Sequence, residues 1–238
     1  MELRAHELGF QQLNEIIRNT GEDVVINQCY GERFIGAGAS KKTITINGTP
    51  GNALGAYLDG ATIIVNGNAQ DAVGDTMNDG KIIVYGNAGD VLGYAMRGGK
   101  ILIRGDAGYR TGIHMKEYKD KKPVIIVGGT TGSFLGEYLA GGTIIVLGLN
   151  TDDFPTGDFI GVGIHGGEIF IRSSKPPENL PPQVSCDIAD NEDLSRIKND
   201  LVEFAETFGI PVDEILSRTF YHLVPNGKNP FKKLYTEN

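Results

Sequence analysis

The stretch GNAGDVLGYAMRGGKILIR, residues 86–104, combines five glycines with a closing run typical of a β-strand. The whole chain has 34 glycines in 238 residues, about double the usual share. Glycine-rich runs beside strands occur in phosphate-binding loops, but also in repeats that bend at a fixed place. Whether the stretch recurs along the chain therefore decides which kind of fold it belongs to.

Seven copies of the stretch follow one another in register. Each copy has glycine at its eighth position and ends in an apolar run such as TIIV or KILI. The fifth copy carries five extra residues, and the insertion GLNTDD precedes the seventh. The copies begin at residues 29, 48, 67, 86, 105, 129 and 154, and their eighth residues are Gly36, Gly55, Gly74, Gly93, Gly112, Gly136 and Gly161.

The 19-residue period predicts a parallel β-helix. A unit of this length is too short for a helix pair or a propeller blade, but it can form one coil of short strands. Each coil needs a bend where the residue takes positive φ or has no Cβ to clash with the next coil, and glycine supplies both. Coils would stack about 4.8 Å apart, so each unit buries its apolar face against its neighbours. We therefore expect an all-β core of about seven coils over residues 29–172.

The closing strands predict an apolar row on the outside of this core. Alternation points residues such as Ile63 and Val65 inward, so the apolar residue between them faces outward. An external apolar row of this size should be covered. The outward residues are Ile64, Ile83, Leu102, Ile126, Ile145 and Phe170.

The flanks of the repeats offer a cover for this row. Helical spacing predicts helices over 6–19 and 191–208, and a short one over 212–224. Cover by these helices is the favoured interpretation, and cover by a partner subunit is the alternative. The candidate buried residues are Leu8, Leu13, Ile16 and Ile17 in the first helix and Leu194, Ile197, Leu201, Phe204 and Phe208 in the second.

The chain thus divides into four segments. The first, 1–28, is an N-terminal helix with a lead-in strand, and the second, 29–172, holds the repeats. The third, 173–190, is a proline-rich linker, and the fourth, 191–238, is a C-terminal helical segment that packs on the repeats.

Composition and charge exclude several functions. The formal charge of −8 argues against a nucleic-acid partner. No stretch approaches the roughly 18 apolar residues of a membrane span, so we expect a cytoplasmic protein without a membrane partner. Cys29 and Cys186 lie far apart without CxxC spacing and are expected to be reduced, with a disulfide or redox pair as the alternative. Homo-oligomerisation is left open.

The segment GVGIHG, residues 161–166, fits the GxGxxG pattern of dinucleotide-binding loops but not its context. Such a loop joins a strand to a helix, so that the pyrophosphate meets the helix N-terminus. Here the strand EIFIR follows the segment, which is part of the seventh repeat. The glycines therefore indicate a structural repeat and no nucleotide site.

Two candidate sites remain, and neither supplies a catalytic residue. Residues 110–122 are the most charged stretch of the repeats, and long insertions often lie on a binding face; a solvated bulge is the alternative. Asp71 and Asp90 occupy the same position in adjacent copies, a weak metal pattern because calcium needs six or more oxygens, so a solvent-exposed ladder is the alternative. The candidate partner contacts are Arg110, His114, Lys116, Glu117, Tyr118 and Lys119.

The repeat unit resembles the C-terminal domain of the large (alpha) subunit of glutamate synthase. The most specific segments are CYGERFIGAGA (29–39), GTPGNALGAYLDGATIIVNGNAQDAVGDTMNDGKIIVYGNAGD (48–90) and GSFLGEYLAGGTIIVLGL (132–149). The resemblance covers about residues 20–172 and is closest to the stand-alone form of this domain. It implies that the predicted β-helix is right-handed.

In the glutamate synthase family, an N-terminal cysteine hydrolyses glutamine, and a separate domain with FMN and an iron–sulfur cluster reduces 2-iminoglutarate. Met1 and Glu2 offer no N-terminal cysteine, and two distant cysteines cannot hold a cluster. The resemblance therefore implies a non-catalytic structural component without a cofactor of its own. Its partners would be the amidotransferase and the FMN and iron–sulfur synthase polypeptides.

Two further functional hypotheses stay open. The repeat is also similar to the glycine-repeat subunit of formylmethanofuran dehydrogenase, although the insertion at 116–122 and the C-terminal helical stretch favour the glutamate synthase side. The third hypothesis is a free-standing binding module with a ligand along one face of the repeats.

Overall fold

The computed structural model describes residues 1–227, which fold around an eleven-stranded sheet with flanking helices. The helices are α1 (Ala5–Asn19), α2 (Asn191–Phe208) and α3 (Val212–Ile215). This mostly β core with helices at its flanks confirms the predicted class at that level. The strands are β1 (Glu2–Arg4), β2 (Val24–Tyr30), β3 (Thr43–Thr49), β4 (Asp59–Asn66), β5 (Asp79–Val84), β6 (Lys100–Ile103), β7 (Val124–Val127), β8 (Ala140–Val146), β9 (Gly166–Arg172), β10 (Val184–Ile188) and β11 (Phe220–Pro225).

The sheet is open and mostly parallel. Strands β1 to β9 lie side by side in chain order, followed by β11 and then β10. Neighbours from β1 to β9 are parallel, whereas β11 is antiparallel to both β9 and β10. Strands β1 and β10 therefore form the two edges of the sheet.

Equivalent residues of successive repeats lie opposite each other in this sheet. Ile82 of β5 pairs with Ile63 of β4 on one side and with Ile101 of β6 on the other. All three side chains are fully buried, as are Val65 and Val84. Parallel pairing at the repeat period thus converts the sequence repeat into rows of stacked aliphatic side chains.

A second set of backbone hydrogen bonds joins the repeats at the bend. The N–H of Gly93 donates to the carbonyl of Val73 in the preceding repeat at 2.8 Å. The N–H of Val91 donates in the opposite direction, to Tyr109 of the following repeat at 2.8 Å, and that of Ala95 also bonds to the following repeat. The bend is therefore tied to the repeats on both sides.

Helix α2 covers the outward apolar row, as predicted. Leu102, Ile126, Ile145 and Phe170 are fully buried beneath it, whereas Ile64 at the far end is half-buried. This cover by the chain's own helix removes these four residues of the row from solvent. Leu194 is only partly buried, although it packs against this cluster. The buried residues of the helix are Ile197, Leu201, Phe204, Ala205 and Phe208.

The ends of α2 are fixed by local hydrogen bonds at the predicted boundaries. The Asp190 carboxylate accepts the N–H groups of Glu192 at 2.8 Å and Asp193 at 2.9 Å, and the Asp193 carboxylate accepts the N–H of Asp190 at 3.0 Å. This reciprocal arrangement is a capping box. Gly209, with φ 66°, ends the helix in the left-handed conformation.

Helix α1 matches its predicted range within one residue but not its predicted buried face. Leu13 and Ile17 are buried, and Leu8 is partly buried and packs against the core, whereas Ile16 is only partly buried and the prediction for it is wrong. Gly9 has a non-helical φ of 69°, which interrupts the helix. The turns before and after Gly9 therefore do not share one continuous apolar face.

The C-terminal side departs from the sequence prediction. The helix predicted over 212–224 is wrong, because α3 ends at Ile215 and the chain continues as β11. Strand β11 pairs with β9 and β10 at once, and this tertiary pairing outweighs the local helical spacing. The stretch interpreted as a linker, 173–190, contains β10, and the predictions for residues 228–238 lie outside the described residues.

Candidate partner-binding face

The bend places three left-handed residues in each repeat, at positions six, eight and ten. In residues 86–104 these are Val91 with φ 53°, Gly93 with φ 67° and Ala95 with φ 51°. A Cβ added to Gly93 would lie inside 3.0 Å of Cδ1 of Ile125, which belongs to the buried aliphatic rows. Positions six and ten, by contrast, carry side chains of every size.

Position six carries large side chains in the fifth to seventh repeats, and position ten does so in the fifth and sixth, which forms two columns. The Arg110 guanidinium lies 4.8 Å over the Phe134 ring, which stacks on Phe159 at 5.0 Å. In the second column, His114 stacks on Tyr138 at 5.1 Å. Tyr94 of the fourth repeat meets the His114 ring edge-on at 6.0 Å. We call this surface the aromatic face, composed of Tyr94, Arg110, His114, Phe134, Tyr138 and Phe159.

Glu137 joins the two columns of the aromatic face. Its carboxylate accepts a hydrogen bond from Nε of Arg110 at 3.0 Å, and its backbone carbonyl accepts the N–H of His114 at 2.9 Å. The Glu137 side chain is only 13% exposed, whereas the Arg110 side chain is 45% exposed. The bond and the ring stacking hold the face in one arrangement before any partner arrives.

Two side chains of the insertion at 116–122 bind it to the repeats. The Glu117 carboxylate accepts the N–H of Gly142 at 3.1 Å, and Nζ of Lys121 lies 3.0 Å from the Asp79 carboxylate. The Lys121 bond raises the pKa of that amine and lowers the pKa of Asp79. Glu117 thus has a structural contact.

The structure therefore separates the six candidate contact residues into three groups. Arg110 and His114 belong to the aromatic face, and Glu117 holds the insertion in place. The other three, Lys116, Tyr118 and Lys119, are exposed on the insertion.

Asp71 and Asp90 lie in a ladder of side chains that accept backbone hydrogen bonds. The Asp71 carboxylate accepts the N–H of Asp90 at 2.9 Å, and the Asp90 carboxylate accepts the N–H of Tyr109 at 2.8 Å. Asn52 bonds to the N–H of Asp71 in the same way at 3.3 Å. Within residues 1–227, no group of three or more His, Cys, Asp or Glu side chains could hold a metal ion. The geometry gives these two carboxylates a structural contact between repeats.

A charged cluster fastens the start of α2 to the end of the sheet. Nε2 of His222 lies 3.0 Å from the Glu168 carboxylate, and Nδ1 lies 3.3 Å from the Asp193 carboxylate. Arg196 contacts both carboxylates, and the imidazole stacks on Phe170 at 4.4 Å. Burial opposes ionisation of Glu168, but the His222 hydrogen bond and the Arg196 charge outweigh it and lower the pKa of that carboxyl.

Both cysteines are free thiols in environments that disfavour the thiolate. Burial, together with the nearby Glu32 carboxylate, raises the pKa of Cys29 to about 12. Burial and the charge of Asp187 raise the pKa of Cys186 as well. Since the thiolate is the nucleophilic form, neither cysteine is set up for catalysis.

Sequence reasoning missed Tyr94, Phe134, Tyr138 and Phe159 as surface residues. Three of them stand at position six or ten of their repeats, and Tyr94 stands at position nine. The alignment of the repeats contained a signal for them, because large residues stand at positions six and ten beside the bend. Aligning the repeats on the glycine at position eight places these large residues two positions before and two positions after it, which would have identified both columns.

Fold and site together define a β-repeat protein whose candidate site is a surface built on the bends of consecutive repeats. The chain belongs to the GXGXG motif family, whose pattern matches residues 10–227. It is 45% identical over 249 residues to an uncharacterized protein of Methanocaldococcus jannaschii, covering 98% of this chain and 95% of that protein.

A solved structure shares the fold. It is a chain of the formyltransferase/hydrolase complex of Methylorubrum extorquens, crystallised in complex with methylofuran. The TM-score is 0.62 at 24% sequence identity, over 85% of this chain and 72% of that chain. In the described part of the present chain, none of the helices has the length and apolar character needed to cross a bilayer.

Proposed function

We propose that this chain is a non-catalytic structural subunit of a glutamate synthase-like complex. It would support an amidotransferase and a synthase polypeptide that carries FMN and an iron–sulfur cluster. The observation that carries the proposal is membership of the GXGXG motif family over residues 10–227, joined to segments that resemble the glutamate synthase domain. The raised thiol pKa values of Cys29 and Cys186 support the non-catalytic role.

The proposal includes the architecture of the repeats. We propose a right-handed parallel β-helix of about seven coils, one for each copy of the repeat. Parallel pairing of equivalent residues from β3 to β9 supports it. The hydrogen bonds between successive bends, such as Gly93 to Val73 at 2.8 Å, support it independently of the strands.

The proposal also assigns cofactors and location. This chain would bind no cofactor, and FMN and the iron–sulfur cluster would lie in the partner subunits. The complex would work in the cytoplasm, where both thiols stay reduced.

A second candidate function is that of the glycine-repeat subunit in an enzyme of the formylmethanofuran dehydrogenase type. The observation that favours it is the shared fold with a chain of the formyltransferase/hydrolase complex, at a TM-score of 0.62. Both candidates assign the chain the same role, a structural subunit beside catalytic ones. They differ in the chemistry of the partner.

Purification of the tagged full-length chain from its source cells tests the proposal. Co-purification of a flavin and iron–sulfur synthase with an amidotransferase supports the first candidate, and a molybdenum or tungsten pterin enzyme supports the second. Glutamate formation from glutamine and 2-oxoglutarate by the isolated chain would overturn the non-catalytic role. Tight binding of a small ligand without either partner would favour a free-standing binding module.

A further inference from the structure

We propose that the aromatic face docks a partner subunit through a patch on that subunit that is apolar at its centre and acidic at its rim. The inference rests on the proposed function, since it requires a structural subunit with a protein partner. Beyond the proposed function, it names the surface of this chain that binds the partner and the chemistry of the partner's matching surface. The observations that carry it are ring stacking, exposure and charge.

The backbone of the aromatic face is strained beneath large side chains. Arg110, His114, Phe134, Tyr138 and Phe159 all have left-handed φ angles, between 53° and 65°. For residues other than glycine this conformation costs roughly 1–2 kcal/mol. In other repeats small residues adopt this conformation at the same positions, as Ala72 and Ala95 do in the third and fourth repeats.

Several of these large side chains remain exposed although they are stacked. Tyr138 remains 41% exposed and Phe159 remains 55% exposed, although both are stacked on a neighbouring ring. Pre-ordered, exposed aromatic rings beside an arginine are typical of the centre of a protein–protein interface. The left-handed backbone is common to the bends of all the repeats, so the stacked, exposed rings beside Arg110 are what points to binding here.

The charge around the aromatic face identifies the kind of partner. Arg97 follows Tyr94 by three residues and Lys116 follows His114 by two, in a chain with a formal charge of −8. Arg97, Lys116 and Lys119 are exposed and form no ion pair with any residue in 1–227. A carboxylate-rich rim on the partner complements these cations and speeds association.

The same charge argues against a second copy of this chain as the occupant. A symmetric dimer uses the same patch of both copies, so it would bring the unpaired Arg97, Lys116 and Lys119 of each copy into one interface. Like charges at an interface disfavour association. The partner that fits is therefore a different, acidic protein.

The test compares two double variants of the tagged full-length chain, expressed in the source cells. Tyr138→Ala with Phe159→Ala removes rings of the aromatic face. Phe34→Ala with Tyr57→Ala is the matched control, because these exposed rings occupy the same two columns in the first and second repeats, with φ 60° and 58°. Partner yield is measured by quantitative mass spectrometry, and urea unfolding of each chain checks folding.

We expect the Tyr138/Phe159 variant to recover about tenfold less partner, and the control variant to stay within about twofold of the wild type. A carbodiimide, which joins lysine amines to carboxylates, should link Lys116 and Lys119 to Asp or Glu of the same partner. Partner recovery should also fall as the salt concentration rises.

Other outcomes overturn the inference, and they separate it from the proposed function. Recovery of a stoichiometric partner that is indifferent to the Tyr138/Phe159 change, or cross-linked elsewhere, overturns the docking face and leaves the structural role standing. Self-association through the face, shown by cross-links between copies, also overturns it. Absence of any stoichiometric partner overturns the inference and the proposed function together.

Discussion

Glycine is required at the eighth position of each repeat because of space more than because of its freedom in φ. Val91 and Ala95, on either side of Gly93, adopt the same left-handed conformation with φ 53° and 51°. At Gly93 a Cβ would collide with the Ile125 side chain, which is held in a fully buried row. A Cβ there must displace the Cδ1 methyl of Ile125 within the packed core.

Gly93→Ala is therefore expected to destabilise the protein more than Gly38→Ala. Both glycines have φ 67°, but nothing lies within 4 Å of a Cβ added to Gly38. Both variants bear the free-energy cost of placing alanine in the left-handed conformation. Overpacking adds about 1–3 kcal/mol at Gly93 alone. Urea unfolding of both variants measures the difference. Equal losses of stability would show that φ, and not space, selects the glycine.

Among the elements, helix α2 is held on the sheet by apolar contacts with a ring of charges around them. Lys100 binds Asp200 and Glu203, each at 2.6 Å, and Lys81 also pairs with Glu203. These partly exposed ion pairs contribute little individually. Phe204, fully buried among Leu102 and its neighbours, contributes much more.

Phe204→Ala is expected to lower the free energy of unfolding by about 3–5 kcal/mol, since it opens a cavity between helix and sheet. Hydrogen exchange of the α2 amides should rise, and a dye that binds apolar surface should fluoresce. Glu206→Ala is the matched control, because Glu206 is exposed on the same helix. A loss in Glu206→Ala as large as in Phe204→Ala would contradict this assignment.

The cluster of Glu168, Asp193, Arg196 and His222 predicts a pH dependence of stability. The pKa of Glu168 is lowered by His222 and Arg196 against the effect of burial, and that of Asp193 is lowered first by the Asp190 N–H bond. A lowered pKa means that the folded state prefers the carboxylate. The stabilisation is thus present above the ordinary values of 4.5 and 3.8, and is lost as pH falls through the lowered values.

Glu168→Gln should therefore remove part of this slope. The wild type is expected to exceed the variant by about 1 kcal/mol at pH 6, with the difference shrinking below pH 4. Urea unfolding between pH 3 and pH 7 measures it, with Glu206→Gln as the control at an exposed carboxylate. A difference that does not change with pH would show that the Glu168 charge plays no part.

At the scale of the whole molecule, the repeats depend on the C-terminal segment. Without β10, α2 and β11, the row of Leu102, Ile126, Ile145 and Phe170 faces water, and β9 becomes an open edge. Repeat proteins need terminal elements that shield such surfaces.

Truncation after Arg172 is expected to give a chain that self-associates or precipitates. Light scattering after gel filtration measures this, and a chain that ends at residue 227 serves as the control. A monomeric truncated chain with retained strand content would show that the repeats are stable alone.

The sequence predicted the repeat register and the main cover correctly because both depend on local regularity. Glycine at a fixed position and an aliphatic run at the end of each copy specify a strand that pairs with its equivalent in the next copy. Helix α2 was predictable since its apolar spacing, its Asp190 cap and its Gly209 stop agree. The segment 212–224 was predicted wrongly because β11 is set by an edge that forms only once β9 is in place.

By itself, then, the sequence determined the period, the strand pairing and the helix that covers the sheet, because neighbouring repeats are related by a constant spacing along the chain. Only the tertiary structure decided that the side chains of Arg110, His114, Tyr138 and Phe159, at positions six and ten of the bend, are exposed while position eight faces the core. It also decided that Arg110, His114, Phe134, Tyr138 and Phe159 form one surface. The physical reason is that side-chain direction at a left-handed bend, and stacking between repeats, depend on atoms that are far apart in the sequence.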